Sequence, residues 1–390
     1  MTATSTNVMA NDIHDTPQLV RTIHRGLDLG TRRALDHDDL NAARRVILTG
    51  CGDSHFAGVA TAGSFERLAG IPTAAVPSME ASRYLLPGQQ DVRPRSPLVI
   101  GVSVSGEISR TVEALIRARS LGALACAVTG DASSRAGQAA DRVIEVKLPP
   151  RSSSGHIPGT RSFTASLLTL YLTSFHMAEV RDRLSVTQVN ELGARLLQDA
   201  DRIGDVLEVC DPRLRTQAEV WADMSACVVL GTGPNLATAQ FLAAKIIEAT
   251  GVHATASDLE EWAHLHHFVR DVRQPVIVLA PHGSATTRAV ELVELMRRRG
   301  RRILVVTTDE SPLADDRDDV LVVADRLIEL TSPFILHAGL SLLAAYLAQT
   351  LGVTYFADFP PDPDPNGNTI VRSKVVSDPE PLPDDVVPVL

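Results

Sequence analysis

The chain repeats itself at the distance of a whole domain. Residues 46–146 run VILTGCGDS…PLVIGVSVSGEISRTVEALIRARSLG…VIEV, and residues 227–323 run CVVLGTGPN…PVIVLAPHGSATTRAVELVELMRRRG…VLVV. A shift of 178 positions aligns Pro97 with Pro275, Arg110 with Arg288, Val112 with Val290, Glu113 with Glu291 and Gly122 with Gly300. So long a period excludes a solenoid and fits two α/β domains in tandem. The copies part company where chemistry would sit. The first has a hydroxyl-rich loop (Ser103, Ser105, Gly106, Glu107, Ser109, Thr111), whereas the second has Pro281, His282 and Gly283 there and a separate cluster of carboxylates and histidines.

With 390 residues the chain has material for two full cores. Its 37 basic and 47 acidic residues give a net charge of −10, which argues against nucleic acid or an anionic membrane as the main partner. The basic runs Arg117–Arg119 and Arg297–Arg302 fall late in two equivalent helices, where cations favour the dipole. The four cysteines (Cys51, Cys126, Cys210, Cys227) lack metal-ligand spacing, so neither a metal site nor a disulfide framework is expected. No apolar segment opens the chain and no run reaches membrane-spanning length, so a cytoplasmic protein is expected.

Apolar runs at Val46–Thr49, Ile71–Val76, Pro97–Val102, Leu124–Thr129 and Val143–Leu148 alternate with helical patterns, as do Cys227–Leu230, Pro275–Ala280, Ile303–Thr308 and Val320–Val323. Strands that are apolar at nearly every position are buried on both faces, as in a parallel sheet, so each copy reads as a doubly wound, flavodoxin-like α/β domain. The expected organisation is an N-terminal helical extension (1–45), a first domain with connecting helices (46–209), a second domain (210–355) and a Pro- and Asp-rich tail (356–390).

In open parallel sheets, ligands bind beyond the carboxyl ends of the strands. Two loops of the first copy stand there: Gly50-Cys51-Gly52-Asp53-Ser54, and Ser103-Val104-Ser105-Gly106-Glu107 leading to Ser109 and Thr111. Short hydroxyls, glycines and free N–H groups at a helix start make an anion cradle; helix capping explains one such serine but less readily two such loops. Neither a Walker lysine nor GxGxxG is present, which argues against a nucleotide. Gly159–Thr164, after Pro158, either caps the next helix or closes over a ligand. In the second copy, Lys245–His267 holds Glu248, His253, Asp258, Glu260, Glu261, His264, His266 and His267. Helical spacing puts Glu261 and His264 on one face. Glu248 interrupts an apolar helix, where a semi-buried carboxylate gains the raised pKa of a general base.

With these motifs in order, the chain resembles the double sugar-isomerase (SIS) family, above all the isomerase module of glucosamine-6-phosphate synthase and the related deaminases and deglycases. The resemblance runs over about residues 9–376 through DIHDTPQLVRT (Asp12–Thr22), CGDSHFAG (Cys51–Gly58), SVSGE (Ser103–Glu107), TRSFT (Thr160–Thr164) and KIIEATGVHATASDLEEWAH (Lys245–His264). It implies that Ser54, Ser103 and Ser105, with the loop residues Cys51, Gly52, Gly106, Glu107 and Ser109, hold a sugar phosphate, with Thr160 near the sugar. It implies Glu248 as the base that moves a proton between C1 and C2, and His264 as the ring-opening histidine, supplied by the partner subunit of a homodimer with Glu261 nearby. Lys374 matches the tail lysine, with Arg372 competing for the position; only the lysine can form an imine.

The chain departs from the family at Val104 and Ile108, which stand where the family has a glutamine and a threonine on the phosphate. It begins directly at the isomerase-like module, so ammonia from glutamine is not expected to be its own supply, and deamination or deglycation is the more natural direction. Such proton transfers need no metal or redox cofactor, because the substrate carbonyl or imine is the electron sink. A non-catalytic sugar-phosphate sensor, and an enzyme acting on an unphosphorylated sugar, are the alternatives.

Overall fold

The computed structural model describes residues 7–86, 94–151 and 156–358. Three helices, α1 (Val8–His14), α2 (Thr16–Ala34) and α3 (His37–Ala42), lead into β1 (Val46–Gly50). Then come α4 (Asp53–Ala69), β2 (Thr73–Pro77), the single turn α5 (Ser78–Glu80), β3 (Leu98–Val102), α6 (Ser109–Ser120), β4 (Leu124–Thr129), α7 (Arg135–Ala139) and β5 (Arg142–Glu145). Two long helices, α8 (Arg161–Val180) and α9 (Val186–Val220), join the copies. The second copy runs β6 (Ala226–Leu230), α10 (Asn235–Thr250), β7 (His253–Ser257), α11 (Leu259–His264), β8 (Val276–Leu279), α12 (Thr286–Arg298), β9 (Ile303–Thr307), β10 (Val320–Val322) and α13 (Ser332–Leu351).

The strands form two five-stranded sheets ordered β2-β1-β3-β4-β5 and β7-β6-β8-β9-β10, with the paired strands parallel throughout. This is the doubly wound, flavodoxin-like order, twice, and its switch points lie between β1 and β3 and between β6 and β8. The repeat also survives in side-chain detail: Arg110 pairs with Glu113 at 2.6 Å and Arg288 with Glu291 at 2.7 Å, at equivalent places on α6 and α12.

One hydrophobic core serves both copies, gathering residues of β1, β3, α8, α10 and α13 into a single cluster. Helix α8 packs on α2 and α4, α13 packs on α9 and α10, and α4 meets α10. Against the expectation that no run reaches membrane-spanning length, helix α13 is long and apolar enough to cross a membrane; nearly all of it is buried within this core. The outer faces of the two sheets are covered separately, by α6 and α7 in the first copy and by α11 and α12 in the second.

Two further features differ from the pattern in the sequence. The boundary expected at 209 falls inside α9, one continuous helix of 35 residues that carries Pro212 in its interior. Strand β7 has no apolar run: it is a partly exposed edge strand, His-Ala-Thr-Ala-Ser, and periodicity does not reveal it. The tail beyond residue 358, with Arg372 and Lys374, lies outside the described residues.

Candidate active site

Both hydroxyl loops stand at the switch point of the first sheet, after the neighbouring strands β1 and β3. Gly52 turns the chain into α4 with φ +54°, and Cys51 and Gly52 are exposed while Ser54 is half-buried on the first turn. In the second loop Gly106 has φ +70°, and a Cβ there would lie 2.0 Å from Ser134 Oγ, so only glycine fits. The Ser103 hydroxyl is buried with no hydrogen-bond partner among the described residues, and Ser105 Oγ accepts from the Glu107 amide at 3.3 Å. Ser109 Oγ accepts from Arg135 Nη1 at 3.4 Å. Thr111 does not face a ligand: its hydroxyl is fully buried in a chain with Ser78 (2.9 Å) and Thr49.

In the second copy the corresponding cradle is already filled. Glu329, just before α13, accepts from the Ser284 amide at 3.0 Å and the Ser284 hydroxyl at 2.7 Å. An internal carboxylate thus occupies the place where a helix-start loop would bind an external anion.

Across from the first loops lies α10. Phe241, Lys245 and Glu248 recur at helical spacing on one face. Phe241 stacks on Phe163 of α8 with ring centroids 3.9 Å apart, and the Lys245 ammonium sits 5.0 Å above the Phe241 ring. Lys245 Nζ donates to Glu248 Oε2 at 2.5 Å and to Asp53 Oδ2 at 2.8 Å. The lysine side chain is 1% exposed, whereas Asp53 and Glu248 keep 23% and 30% of theirs accessible. The lysine is therefore the buried pivot, and each acid side chain keeps partial exposure.

Burial raises the pKa of both carboxyl groups. For Glu248 the Lys245 charge opposes that rise and the Asp53 charge adds to it; for Asp53 the lysine again opposes it. Asp53 also lies in the first turn of α4, where the helix dipole favours a carboxylate. Next to it, burial lowers the pKa of His55, whose Nδ1 has no partner among the described residues. A carboxylate of raised pKa, steered by a buried cation and open to solvent, is equipped to take and return a proton.

The remaining candidates stand apart. Thr160 is buried and donates to Asp12 Oδ2 at 3.4 Å, beneath Arg151 and Arg161. His264 projects into solvent from α11, with 74% of its side chain exposed, and pairs through Nε2 with Glu260 at 3.1 Å. The i,i+4 partner Glu260 takes this bond rather than Glu261; Arg288 holds Glu260 at 2.7 Å and keeps its pKa low. Neither Glu261 nor His264 bonds to Glu248 within the chain among the described residues. Asp53 and Lys245 are members of the cluster that the sequence motifs do not mark. Lys245 carried a signal: a cation on an apolar helix demands a buried partner.

The SIS domain family matches residues 39–175 and 223–348, the segments that hold the two sheets. The glutamine–fructose-6-phosphate aminotransferase [isomerizing] of Gloeobacter violaceus is 27% identical over 349 residues, covering 88% of this chain and 56% of that protein. The enzyme of the same name from Caulobacter vibrioides is 28% identical over 348 residues, with the same coverage of 88% and 56%. The chain thus spans about half the length of these relatives. The C-terminal domain of glucosamine-fructose-6-phosphate aminotransferase from Francisella tularensis aligns with a TM-score of 0.79 at 18% identity, covering 91% of this chain and 99% of that one. Glucosamine-6-phosphate deaminase from Thermotoga maritima aligns with a TM-score of 0.68 at 17% identity, covering 89% and 95%. At these identities the two structures speak for the fold. Two matched segments, two sheets of the same order and one site between them lead to one conclusion: the chain belongs to the SIS domain family.

Proposed function

We propose that the chain is an aldose/ketose isomerase-type enzyme acting on a phosphorylated amino sugar, by ring opening, C1–C2 proton transfer and C–N bond cleavage or formation. The observation that carries this reading is the Lys245 ammonium holding Asp53 of one copy and Glu248 of the other, beside the hydroxyl loops. Glu248 is the base that removes a proton from one carbon and returns it to the next; Lys245 steers it and balances the charge. The enol oxygen that develops needs a donor, and the same ammonium is the nearest cation to the base. The phosphate rests on the loop from Ser103 to Ser109, with Ser54 beside it. Arg135, through Ser109, places a cation at that loop, where Val104 and Ile108 offer no polar contact.

His264 opens the ring of the substrate bound by a second subunit, with Glu261 near it. Two facts support that reading: the exposure of His264, and the apolar surface that follows it, with Leu265 64% and Phe268 71% exposed. An imine step, where the reaction includes one, falls to Lys374. The aminotransferases named above carry fructose 6-phosphate in their names, which supports this substrate class.

A second reading has one observation behind it. Val104 and Ile108 are apolar and Thr111 is consumed internally, which favours a sugar without phosphate. Thermal-shift titration with phosphorylated and free amino sugars separates the two. The first reading predicts the larger stabilisation from the phosphorylated member of each pair; a larger shift from the free sugar overturns the phosphate assignment.

A further inference from the structure

The loop that leads into α4 contributes a carboxylate to the reacting end of the site. Asp53 gives Oδ2 to Lys245, and Oδ1 has no hydrogen-bond partner among the described residues; Glu248 likewise gives only Oε2. Both side chains retain some access to solvent, and each carboxylate is pinned through one oxygen while the other has no hydrogen bond among the described residues. Two carboxylates share one ammonium, so the cluster is one positive charge short of balance. A substrate drawing a proton from carbon to Glu248 must bring C1 and C2 to that oxygen. The substituents on those carbons then come to the neighbourhood of Asp53, because both acids meet the same Nζ atom.

We infer that Asp53 is a specificity residue that accepts the protonated nitrogen carried on C1 or C2 of the substrate and so selects aminated sugars over their hydroxyl counterparts. A hydroxyl can donate to the Asp53 carboxylate as well, but only an ammonium also supplies the missing charge and so adds an ion pair to the hydrogen bond in a partly buried site. The position is particular to the first copy. Gly50 and Gly231 both abut the residue four places on, Ser54 and Asn235, and in that register the second copy has Pro234 at the place of Asp53. The inference rests on the proposed proton transfer by Glu248, since that step places C1 and C2 at the cluster.

Calorimetric titration at about pH 6.5, where an ordinary amine is protonated, tests it with two matched probe pairs: glucosamine 6-phosphate against glucose 6-phosphate, and glucosamine against glucose. Wild type is expected to bind the amine of a pair at least about tenfold more tightly, and Asp53→Asn to bring the ratio close to unity mainly by weakening the amine. Asp53→Ser, smaller and also uncharged, gives the same reading should the Asn variant fold poorly. Equal affinity for amine and hydroxyl in wild type, or a preference that survives in both variants, overturns the inference alone. Absence of binding by all four probes overturns it together with the proposed function. Binding confined to the free pair removes the phosphate assignment, and the amine ratio in that pair then decides the role of Asp53.

Discussion

Lys245 and Asp53 are 192 residues apart in the chain and 2.8 Å apart in space, one from each copy of the repeat. The bond ties the start of α4 to the last turns of α10, where the two copies share a core. Removing the buried partner of such a set leaves uncompensated charge. Lys245→Met is therefore expected to lower stability by on the order of 2 kcal/mol, less than for a fully buried pair because both acids reach solvent. Chemical denaturation with the m-value held constant measures it. An unchanged midpoint would show that the bond does nothing for the fold.

Glu248 must be ionised to act as a base, and burial together with the Asp53 charge raises its pKa. The acid limb of kcat/KM therefore lies above the ordinary carboxylate range. Asp53→Asn removes the like charge and leaves Lys245 to Glu248 alone, so the limb moves to lower pH. A pH–rate profile of both proteins reports this, and a limb that stays in place or moves upward contradicts it.

His337 of α13 lies fully buried against Phe163 and Phe241, and burial depresses its pKa to about 4. Its Nδ1 donates to the Pro333 carbonyl at 3.0 Å, which leaves Nε2 to accept from the Thr164 hydroxyl at 2.7 Å. The neutral ring is thus the folded form. Its contribution is fully present above an unfolded pKa of about 6.5 and is lost as pH falls toward 4, by about 3 kcal/mol in all. Denaturation at a series of pH values measures that slope. It is expected to flatten in His337→Gln, and an equal slope in the variant would assign it to other groups.

Gly106→Ala forces a Cβ onto Ser134 and a left-handed backbone onto alanine. A cost of about 1–3 kcal/mol is expected, with weaker binding of a phosphorylated sugar if the same loop holds the phosphate as proposed. Thermal melts with and without glucosamine 6-phosphate read both effects; a variant as stable as wild type would mean that the loop yields easily.

Most of the scaffold was legible because central parallel strands are apolar on both faces: β1, β3, β4 and β9 follow their runs to within a residue. The edge strand β7 was not, since it buries little and its residues follow no period. Helix α9 runs on past Cys210-Asp211-Pro212, a stretch that reads locally as a stop; tertiary packing of Leu214 and Ala218 carries it through. The site was half legible. Serine loops advertise themselves by composition, and Glu248 by its apolar neighbours. Asp53 sits inside a loop whose glycines and serine are its conspicuous residues, and its partner is brought to it only by the meeting of two domains. Thr111 is available by spacing alone, and only burial shows its hydroxyl to be spent on Ser78.

The central claim is that Glu248, held by a lysine shared with the other copy, moves a proton between neighbouring carbons of a sugar. Solvent proton exchange at C2 of glucosamine 6-phosphate, followed by NMR in deuterated buffer, addresses it directly. Wild type is expected to exchange that proton, and Glu248→Gln, with ligand binding retained, to lose exchange by a factor of about a hundred or more. Exchange that persists in Glu248→Gln, or a wild type that binds the sugar and exchanges nothing, would contradict the account.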